Sequence, residues 1–324
     1  MATIRDVSKE TGLSVGTVSR VLNNRGYISQ ETKNKVAQAM RKLNYQPNEL
    51  ARSLSKSKSS ILGVIIPSLR HPYFANLVSF IEEEAGRNGY QILLFQSNDK
   101  REKESMMLEE CTKNRVAGII LCSGQFSIVK LKGLEIPVVT IERMQEHASA
   151  SIECDNLTGG RLAAECLIRK GCTFLLHVSN VQGNEMPADK RTIGFVEACE
   201  KAHMQHREIP FSEALYESMD YHDFLSKLLD TFPQADGIFC SSDIAAAQVL
   251  QICNERNITI PGKMKVIGFD DIPLAEMTSP QLTTIHQPIK EMADMAVTML
   301  IDAKERKVAS VITMAVSLRE RKST

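Results

Sequence analysis

At 324 residues and 43% hydrophobic content, the chain is long enough for two or three globular domains with ordinary cores. It has no run of about 18 apolar residues that could span a membrane, and it starts at Met1 without an apolar signal segment, so we expect a cytoplasmic protein. Its eight cysteines include no Cys-x-x-Cys pair and its seven histidines show no zinc-ligand spacing, so we expect reduced core thiols and neither a metal site nor a cofactor.

The formal net charge of zero conceals two oppositely charged parts of the chain. Residues 1–58 carry eleven Lys or Arg and four Asp or Glu, a net charge of +7, whereas residues 59–324 carry a net charge of −7. A basic segment neutralises DNA phosphates, and an acidic remainder keeps the rest of the chain off the duplex. The charge pattern therefore predicts a DNA-binding segment at the N-terminus.

Two short helices joined by a tight turn are predicted in the first 23 residues. Thr3 is a suitable N-cap for the first helix, and Gly12 is a suitable left-handed C-cap. Ser14 then caps a helix over residues 15–23, whose apolar residues recur at helical spacing and are expected to face the first helix. The residues left on its outer face are Val15, Gly16, Thr17 and Arg20. This pattern predicts a helix-turn-helix, although a small helical domain with a solvated charged face would share it.

A serine-rich linker at residues 55–60 precedes a long segment in which short apolar runs alternate with helical patterns. This alternation predicts parallel sheets covered by helices on both faces, and the runs are too many for one compact sheet, so two α/β subdomains are expected. The predicted strands cover residues 61–66, 91–95, 116–122, 137–141, 174–179, 237–241 and 264–269. The clearest helical patterns cover residues 73–87, 160–170, 191–202, 244–256 and 289–304.

Polar residues follow most of the predicted strands, which is where ligands bind in open α/β sheets. Carboxylate, amide and guanidinium groups from several strand ends can converge on one polyhydroxylated ligand, and Tyr73 and Phe74 can stack on a sugar ring. The candidates at these strand ends include Asp155, Ser242, Asp243 and Asp270. For the three aspartates, the alternative is a role as a helix cap or turn former.

Five motifs follow one another in the first 54 residues, namely Thr3–Val7, Leu13–Ser14, Thr17–Asn23, Leu43–Asn48 and Ala51–Leu54. Together they resemble the DNA-binding head of the lactose-repressor/galactose-repressor family of bacterial transcription regulators. The resemblance continues through the rest of the chain and covers nearly all of it.

The resemblance implies roles in DNA binding for three groups of residues. Those that correspond to the major-groove readers are Val15, Gly16 and Arg20, of which Arg20 can bond a guanine edge with two hydrogen bonds. Those expected to contact phosphates are Thr17, Ser19, Asn23 and Tyr45. A short hinge helix is expected to start at Pro47 and to bind DNA through Asn48, Ala51, Arg52 and Leu54, with Leu54 as a wedge in the minor groove.

The remainder of the chain resembles the periplasmic ribose-type sugar-binding proteins. By this likeness, the effector-binding residues are the ring-stacking Tyr73 and Phe74 and the hydroxyl-binding Arg143, Arg191, Asp270 and Gln287. His71 and Ser242 stand where an asparagine is common in those proteins, and Glu142 stands where an aspartate is common. Because these departures change reach and hydrogen-bonding pattern, a hexose, a pentose and a disaccharide all stay open.

The resemblance also implies a fold class and a domain organisation. The expected fold is α/β, with a helix-turn-helix head followed by two doubly wound subdomains of the periplasmic-binding-protein type. We expect the head at residues 1–46, a hinge helix and linker at residues 47–60, and an effector-binding and dimerisation body at residues 61–324. Within that body, the N-subdomain is expected at residues 61–155 and 288–315, and the C-subdomain at residues 156–287 and 316–324.

These features predict a transcriptional regulator, a repressor of a carbohydrate operon that works as a homodimer and binds a sugar or sugar phosphate. A purine- or other metabolite-responsive regulator, or a catabolite-control member with a phosphocarrier-type co-regulator, is the alternative within the family. The sequence has no dinucleotide fingerprint, phosphate loop or nucleophile elbow, which disfavours an enzyme. A sugar-binding transport protein is disfavoured by the basic head and the missing signal segment. Whether the effector releases DNA or promotes its binding stays open.

Overall fold

The computed structural model of the chain describes residues 2–22, 26–45, 59–98, 100–123, 131, 133–143, 147–179, 186–302 and 310–324. The chain divides into two compact units, Met1–Ser59 and Ser60–Thr324, which we call the head and the body. No helix within the described ranges is long and apolar enough to cross a membrane.

The predicted helix-turn-helix is present in the head. Its helices are α1 (Ile4–Thr11) and α2 (Val15–Leu22). Thr3 caps α1 at its start, and Gly12 ends the helix in the left-handed conformation with a φ of 65°. The Ser14 hydroxyl caps α2 by accepting a hydrogen bond from the backbone N–H of Thr17 at 3.1 Å. Both helices and their caps therefore confirm the sequence prediction.

A third helix, α3 (Gln30–Lys42), completes the described part of the head. It is absent from the sequence prediction because polar residues dominate it. Its two buried side chains, Val36 and Ala39, pack against Val7 of α1 and Val18 of α2 and so form a small apolar core. This core leaves one face of α2 outside the packing of the three helices.

The body contains two parallel-rich sheets, one in each of the two expected subdomains. The strands are β1 (Ile61–Ile66), β2 (Gln91–Gln96), β3 (Gly118–Leu121), β4 (Val138–Ile141), β5 (Ala150–Cys154), β6 (Phe174–Ser179), β7 (Gln205–Pro210), β8 (Gly237–Cys240), β9 (Lys265–Asp270), β10 (Thr283–His286), β11 (Ser310–Met314) and β12 (Ser317–Arg319). The order is β11-β5-β4-β3-β1-β2 in the first sheet, which defines the N-subdomain, and β12-β10-β9-β8-β6-β7 in the second, which defines the C-subdomain. Among the described strand pairs, only β10 with β12 is antiparallel.

Helices cover these sheets as the alternating pattern predicts, which confirms the α/β fold class with a helix-turn-helix head. The body helices are α4 (Pro72–Arg87), α5 (Arg101–Lys113), α6 (Asn156–Arg169), α7 (Lys190–Lys201), α8 (Glu213–Ser218), α9 (His222–Thr231), α10 (Asp243–Glu255), α11 (Leu274–Met277) and α12 (Ile289–Ile301). The five helical patterns named from the sequence correspond to α4, α6, α7, α10 and α12.

The strands that the sequence predicts are those with continuous apolar runs. In β1, for example, all residues but the first are buried, as expected for a strand covered by helices on both faces. The seven predicted strands β1, β2, β3, β4, β6, β8 and β9 are confirmed. Strands β5, β7, β10, β11 and β12 are absent from the sequence prediction. The edge strand β7, with the sequence QHREIP, contains no apolar run and therefore gives no strand signal.

The chain passes between the two subdomains three times in the described residues. The crossings lie between β5 and α6, between β10 and α12, and between β11 and β12. Helix α12 follows a strand of the C-subdomain but packs against α4, β3, β4 and β5 of the N-subdomain. Neither subdomain is therefore continuous in sequence.

Candidate effector cavity and DNA-binding face

A cavity of about 120 Å³ lies between the N-subdomain and the C-subdomain. Seven of the nine effector-binding residues predicted from the sequence line it, namely Tyr73, Phe74, Arg143, Arg191, Ser242, Asp270 and Gln287. They come from the ends of strands or the starts of helices in both subdomains, as the position of ligands in α/β sheets predicts. The cavity thus brings together groups that are up to 214 positions apart, from Tyr73 to Gln287.

Arg191, near the start of α7, is a buried guanidinium in the cavity wall. Its Nε donates to Asn156 Oδ1 at 2.7 Å, and one terminal nitrogen donates to the backbone oxygen of Ser241 at 2.7 Å. The guanidinium lies over the ring of Phe269, 3.6 Å from its centroid. These contacts fix the orientation of the charged group before any ligand binds.

The position of Arg191 depends on close packing between α6 and α7. A Cβ atom on Gly160 would lie 1.9 Å from the backbone oxygen of Arg191, and a Cβ atom on Gly194 would lie 1.9 Å from the backbone oxygen of Leu157. Only glycine allows this approach of the two helices. The neighbouring Gly159 packs directly on the ring of Phe269 in β9.

Asp270, the last residue of β9, is buried in the same wall and has a φ of 117°. Its Oδ1 accepts a hydrogen bond from Gln287 Nε2 at 2.6 Å. Burial raises the pKa of Asp270 to about 7, although the nearby Arg191 guanidinium lowers it. The carboxyl group therefore changes its charge close to neutral pH.

Glu142 and Arg143 follow β4 on the N-subdomain side of the cavity. Glu142 has a φ of 53°, and its carboxylate accepts from the backbone N–H of Cys154 at 2.5 Å and from Asn156 Nδ2 at 3.0 Å. It is thereby tied to the first crossing between the subdomains. Arg143 donates from a terminal nitrogen to the backbone oxygen of Glu142 at 2.8 Å.

Aromatic rings form the apolar part of the wall at the start of α4. The rings of Tyr73 and Phe74 meet edge to face with centroids 5.1 Å apart, and the His71 ring lies between Phe74 and Tyr216, at 5.5 and 5.9 Å. His71 Nδ1 caps α4 by accepting from the backbone N–H of Tyr73. Burial, reinforced by the charge of Arg191, lowers the pKa of His71 to about 4. The imidazole is therefore neutral at neutral pH.

Three buried polar atoms in the wall have no hydrogen-bonding partner among the described residues. They are the Tyr73 hydroxyl, Arg143 Nε and Gln287 Oε1. Because a buried polar group without a partner costs free energy, such atoms mark positions where a polar ligand can form new hydrogen bonds.

Asp155 and Asp243 do not line the cavity, which corrects their assignment to the effector. The Asp155 carboxylate caps α6 by accepting from the backbone N–H of Thr158 at 3.0 Å. Asp243 is fully buried and accepts from the backbone N–H of Ile272 at 2.9 Å and from the Thr284 hydroxyl at 2.5 Å. Burial raises its pKa well above the ordinary value. Both residues thus have the capping and structural roles that the sequence left as the alternative.

The cavity wall also contains residues that the sequence did not predict. Phe211 and Tyr216 follow the edge strand β7, and Thr192 lies one residue after Arg191 in α7. Phe211 and Tyr216 were missed because β7 lacks an apolar run and its end could not be located. For Thr192, the helical pattern gives no sign that this face of α7 borders a cavity.

In the head, the outer face of α2 carries the residues that the sequence assigns to the major groove. Val15, Gly16 and Arg20 are exposed, and Thr17 and Ser19 are half-buried. Tyr45 is half-buried against the small apolar core. The other proposed DNA contacts, Asn23, Asn48, Ala51, Arg52 and Leu54, lie outside the described residues.

Comparison with known proteins identifies the family. The profile for bacterial regulatory proteins of the lacI family matches residues 3–48, and that for a periplasmic binding protein-like domain matches residues 164–324. The chain is 36% identical over 312 residues to the ribose operon repressor of Halalkalibacterium halodurans, and the alignment covers 95% of this chain and 92% of that protein. The chain belongs to the lacI family of bacterial regulatory proteins. Another lacI-family relative, the sucrose operon repressor of Streptococcus mutans, is 34% identical over 301 residues, or 93% of this chain and 92% of the relative.

Solved structures share the fold of this lacI-family chain. A periplasmic binding protein/LacI transcriptional regulator from Alkaliphilus metalliredigens, complexed with D-xylulofuranose, matches with a TM-score of 0.74 and 31% identity, covering 82% of this chain and 99% of the other. The lac repressor dimer bound to operator and the anti-inducer ONPF matches with a TM-score of 0.87 and 24% identity, covering 100% and 99% of the two chains.

Proposed function

We propose that this lacI-family regulator represses a carbohydrate operon and that a small sugar or sugar phosphate, bound in the cavity, switches its affinity for operator DNA. The observation that carries the proposal is the convergence of seven expected effector-binding residues, from both subdomains, on one cavity. Aromatic faces beside carboxylate, amide and guanidinium groups suit a sugar, whose ring has apolar faces and a polar edge. The ribose and sucrose operon repressors among the relatives support this class of ligand.

The proposed DNA interface is the exposed face of α2 together with the hinge segment. Arg20 is exposed near the end of α2 and is proposed to bond a guanine edge in the major groove. Thr17, Ser19, Asn23 and Tyr45 are proposed to contact phosphates, and Leu54 to enter the minor groove. The charge of +7 on residues 1–58 supports binding to a polyanion.

The proposed switch is a change in the angle between the subdomains of a homodimer. The cavity lies beside two of the three chain crossings, because Glu142 bonds to Cys154 and Asn156, and Gln287 lies between β10 and α12. A ligand held by both walls favours one angle over others and can thereby change the spacing of the two hinge segments. Within this chain we propose a helix-turn-helix segment at residues 1–46, a hinge and linker at residues 47–60, and an effector-binding and dimerisation segment at residues 61–324. A phosphocarrier-type co-regulator stays a prediction from the sequence.

A thermal-shift screen of the purified protein against sugars, sugar phosphates and purines tests the proposal. A sugar or sugar phosphate should raise the melting temperature of the protein, and Asp270→Ala should abolish this shift. The operator sequence is first selected with the wild-type protein from a pool of random duplexes, and Asp270→Ala should keep its affinity for that operator. Asp155→Asn is the matched control, because asparagine keeps the helix cap outside the cavity and should leave the response intact. A shift with purines alone would assign the chain to the class of its relative PurR of Pasteurella multocida, which is 32% identical over 332 residues.

A further inference from the structure

A histidine in the core of the C-subdomain lies directly behind the cavity wall. His177, in β6, has no exposed surface, and its ring stacks on those of Phe239 and Phe195, with centroid distances of 4.6 and 5.0 Å. Burial lowers its pKa to about 4. Its imidazole is therefore neutral at neutral pH and carries one ring proton.

The neighbours of His177 determine which ring nitrogen carries that proton. Nδ1 lies 3.1 Å from the backbone oxygen of Phe239, and Nε2 lies 3.0 Å from the hydroxyl oxygen of Thr192. A carbonyl oxygen can only accept a hydrogen bond, so Nδ1 carries the proton and donates. Nε2 is then an acceptor, and the Thr192 hydroxyl must donate to it.

This arrangement commits the single hydroxyl proton of Thr192 to the side away from the ligand. The Thr192 oxygen lies 3.5 Å from Ser179 Oγ, farther than from His177, and both Thr192 and Ser179 line the cavity. Because its proton is directed at His177, the Thr192 oxygen can offer a ligand in the adjoining cavity only its lone pairs. A ligand group at this position must donate a hydrogen bond.

The rest of the wall offers further acceptors beside the guanidinium groups of Arg143 and Arg191, of which Arg143 Nε is itself a buried donor without a partner among the described residues. Gln287 Oε1 is a buried acceptor without a partner among the described residues, and the carboxylates of Asp270, Glu142 and Asp189 also line the cavity. Sugar hydroxyls can donate to such groups. A phosphate group has mainly acceptor oxygens near neutral pH and therefore could not donate a hydrogen bond to Thr192.

We propose that His177 fixes Thr192 as a hydrogen-bond acceptor and that the cavity thereby selects an uncharged, unphosphorylated sugar with a hydroxyl directed at Thr192. Thr192 is the specificity-determining residue, and His177 is the positioning residue that acts through it. This inference rests on the proposed function, and it narrows the effector from sugars and sugar phosphates to free sugars.

Calorimetric titration of the full chain with three matched pairs of ligands tests the selectivity. The pairs are D-ribose with D-ribose 5-phosphate, D-xylulose with D-xylulose 5-phosphate, and sucrose with sucrose 6-phosphate. We expect at least one free sugar to bind about tenfold more tightly than its phosphate. Tighter binding of a phosphate overturns the inference but leaves the proposed function standing, whereas binding of none of the six ligands overturns both.

Variants of Thr192 and His177 test the mechanism with the free sugar that binds. Thr192→Val removes the acceptor at nearly constant volume and should weaken binding by about tenfold, whereas Thr192→Ser keeps the hydroxyl and should bind within about threefold of the wild type. His177→Phe keeps the Thr192 oxygen and should lose less affinity than Thr192→Val, and the double variant should lose no more than Thr192→Val alone. Equal affinity of Thr192→Val and wild type overturns the role of Thr192.

A selectivity ratio separates positioning by His177 from a merely structural role. In His177→Phe the Thr192 hydroxyl can turn and donate to a ligand, so the preference for the free sugar over its phosphate should shrink. A general loss of folding would weaken both ligands alike and leave this ratio unchanged. An unchanged ratio, or additive losses in the double variant, overturns the positioning role.

Discussion

Asp270 combines burial with a place in the wall of the effector cavity. Desolvation raises its pKa to about 7, and the charge of Glu142 acts in the same direction, while Arg191 and the hydrogen bond from Gln287 oppose the shift. The group is therefore a carboxylate acceptor at pH 8 and mostly a carboxylic acid at pH 6.

Effector affinity should follow this ionisation. If the ligand donates to the carboxylate, protonation of Asp270 competes with binding, and the dissociation constant should rise roughly tenfold as the pH falls from 8 to 6. Titration calorimetry at several pH values measures this dependence. The control is Asp270→Asn, which should bind weakly at every pH with a nearly flat profile. A steep profile that persists in Asp270→Asn would assign the proton to another group.

Arg20 is the exposed head residue best suited to read a base. Arg20→Ala should weaken operator binding by about 1 to 3 kcal/mol and should relax the preference at one base position in each half-site. Binding to a panel of operators with single base changes gives this measurement. An equal loss on every sequence, with a smaller salt dependence, would instead make Arg20 a phosphate contact.

At the scale of elements, the packing of α6 against α7 leaves no room for an added side chain. A side chain at position 194 must enter the space occupied by the backbone of Leu157 and Arg161. Gly194→Ala should therefore lower the free energy of unfolding by about 3 kcal/mol, and it should also disturb Arg191 and effector binding. Chemical denaturation measures the first effect.

Gly86, near the end of α4, is the matched control for this substitution. A Cβ atom there would meet nothing within 4 Å, so alanine adds helix propensity without a clash. Gly86→Ala should raise the free energy of unfolding by about 0.5 to 1 kcal/mol. A similar sign for both variants would show that backbone entropy, not contact, determines the result at position 194.

The elements that could be predicted from the sequence are those with a continuous apolar run, a helical apolar spacing or clear caps. Strands such as β1 carry apolar runs, and helices such as α1 and α2 carry caps, so local chemistry identifies them. The edge strand β7 has no such run, and its partner β6 holds it only through tertiary pairing. Phe211 and Tyr216 were consequently absent from the predicted cavity.

The sequence also limits the prediction of individual cavity residues, because tertiary contacts decide which side chains enter the cavity. Strand ends could be found, but the direction of a side chain there depends on contacts between distant residues. Asp243 follows the end of β8 and Asp270 is the last residue of β9, yet the Asp243 carboxylate is directed to Ile272 and Thr284 instead of the cavity. The orientation of Thr192 likewise depends on His177, which lies 15 residues away.

For the molecule as a whole, the hinge segment is expected to connect effector binding with DNA binding, although residues 46–58 lie outside the described ranges. Residues 48–54 are too few to form a stable helix alone in water, so the segment should order only with a second copy on DNA. Leu54→Ala would remove apolar surface that offsets the unstacking of bases, a cost of a few kcal/mol per step.

Leu54→Ala should therefore bind its specific operator much more weakly and bend it less, while its salt-dependent affinity for nonspecific DNA stays unchanged. Affinity and bending are measured on one operator with both proteins. Values equal to those of the wild type would reduce residues 47–60 to a plain linker. Weaker binding to all DNA would place Leu54 in the fold of the head instead.

The interleaving of the two subdomains determines the order in which they can form during synthesis. The N-subdomain starts at β1, but two of its elements are translated late. Helix α12 covers β3 and β4, and strand β11 pairs with β5. Both are made after every strand of the C-subdomain sheet except β12. Leu300 of α12, for example, packs directly on Gly118. At ordinary rates of translation this leaves one face of the nascent sheet uncovered for roughly 10 to 30 s.

A ribosome that stops early should consequently release a chain that cannot bury this face. Truncation after Gln287 should leave the apolar surface of β3 and β4 exposed and make the product aggregate or associate with chaperones, even though most of its residues are present. Truncation after Arg319 should be tolerated better, because all twelve strands of the described ranges have then been made. Quality control during synthesis therefore depends on α12 and β11, since these late elements complete the subdomain that begins at Ile61.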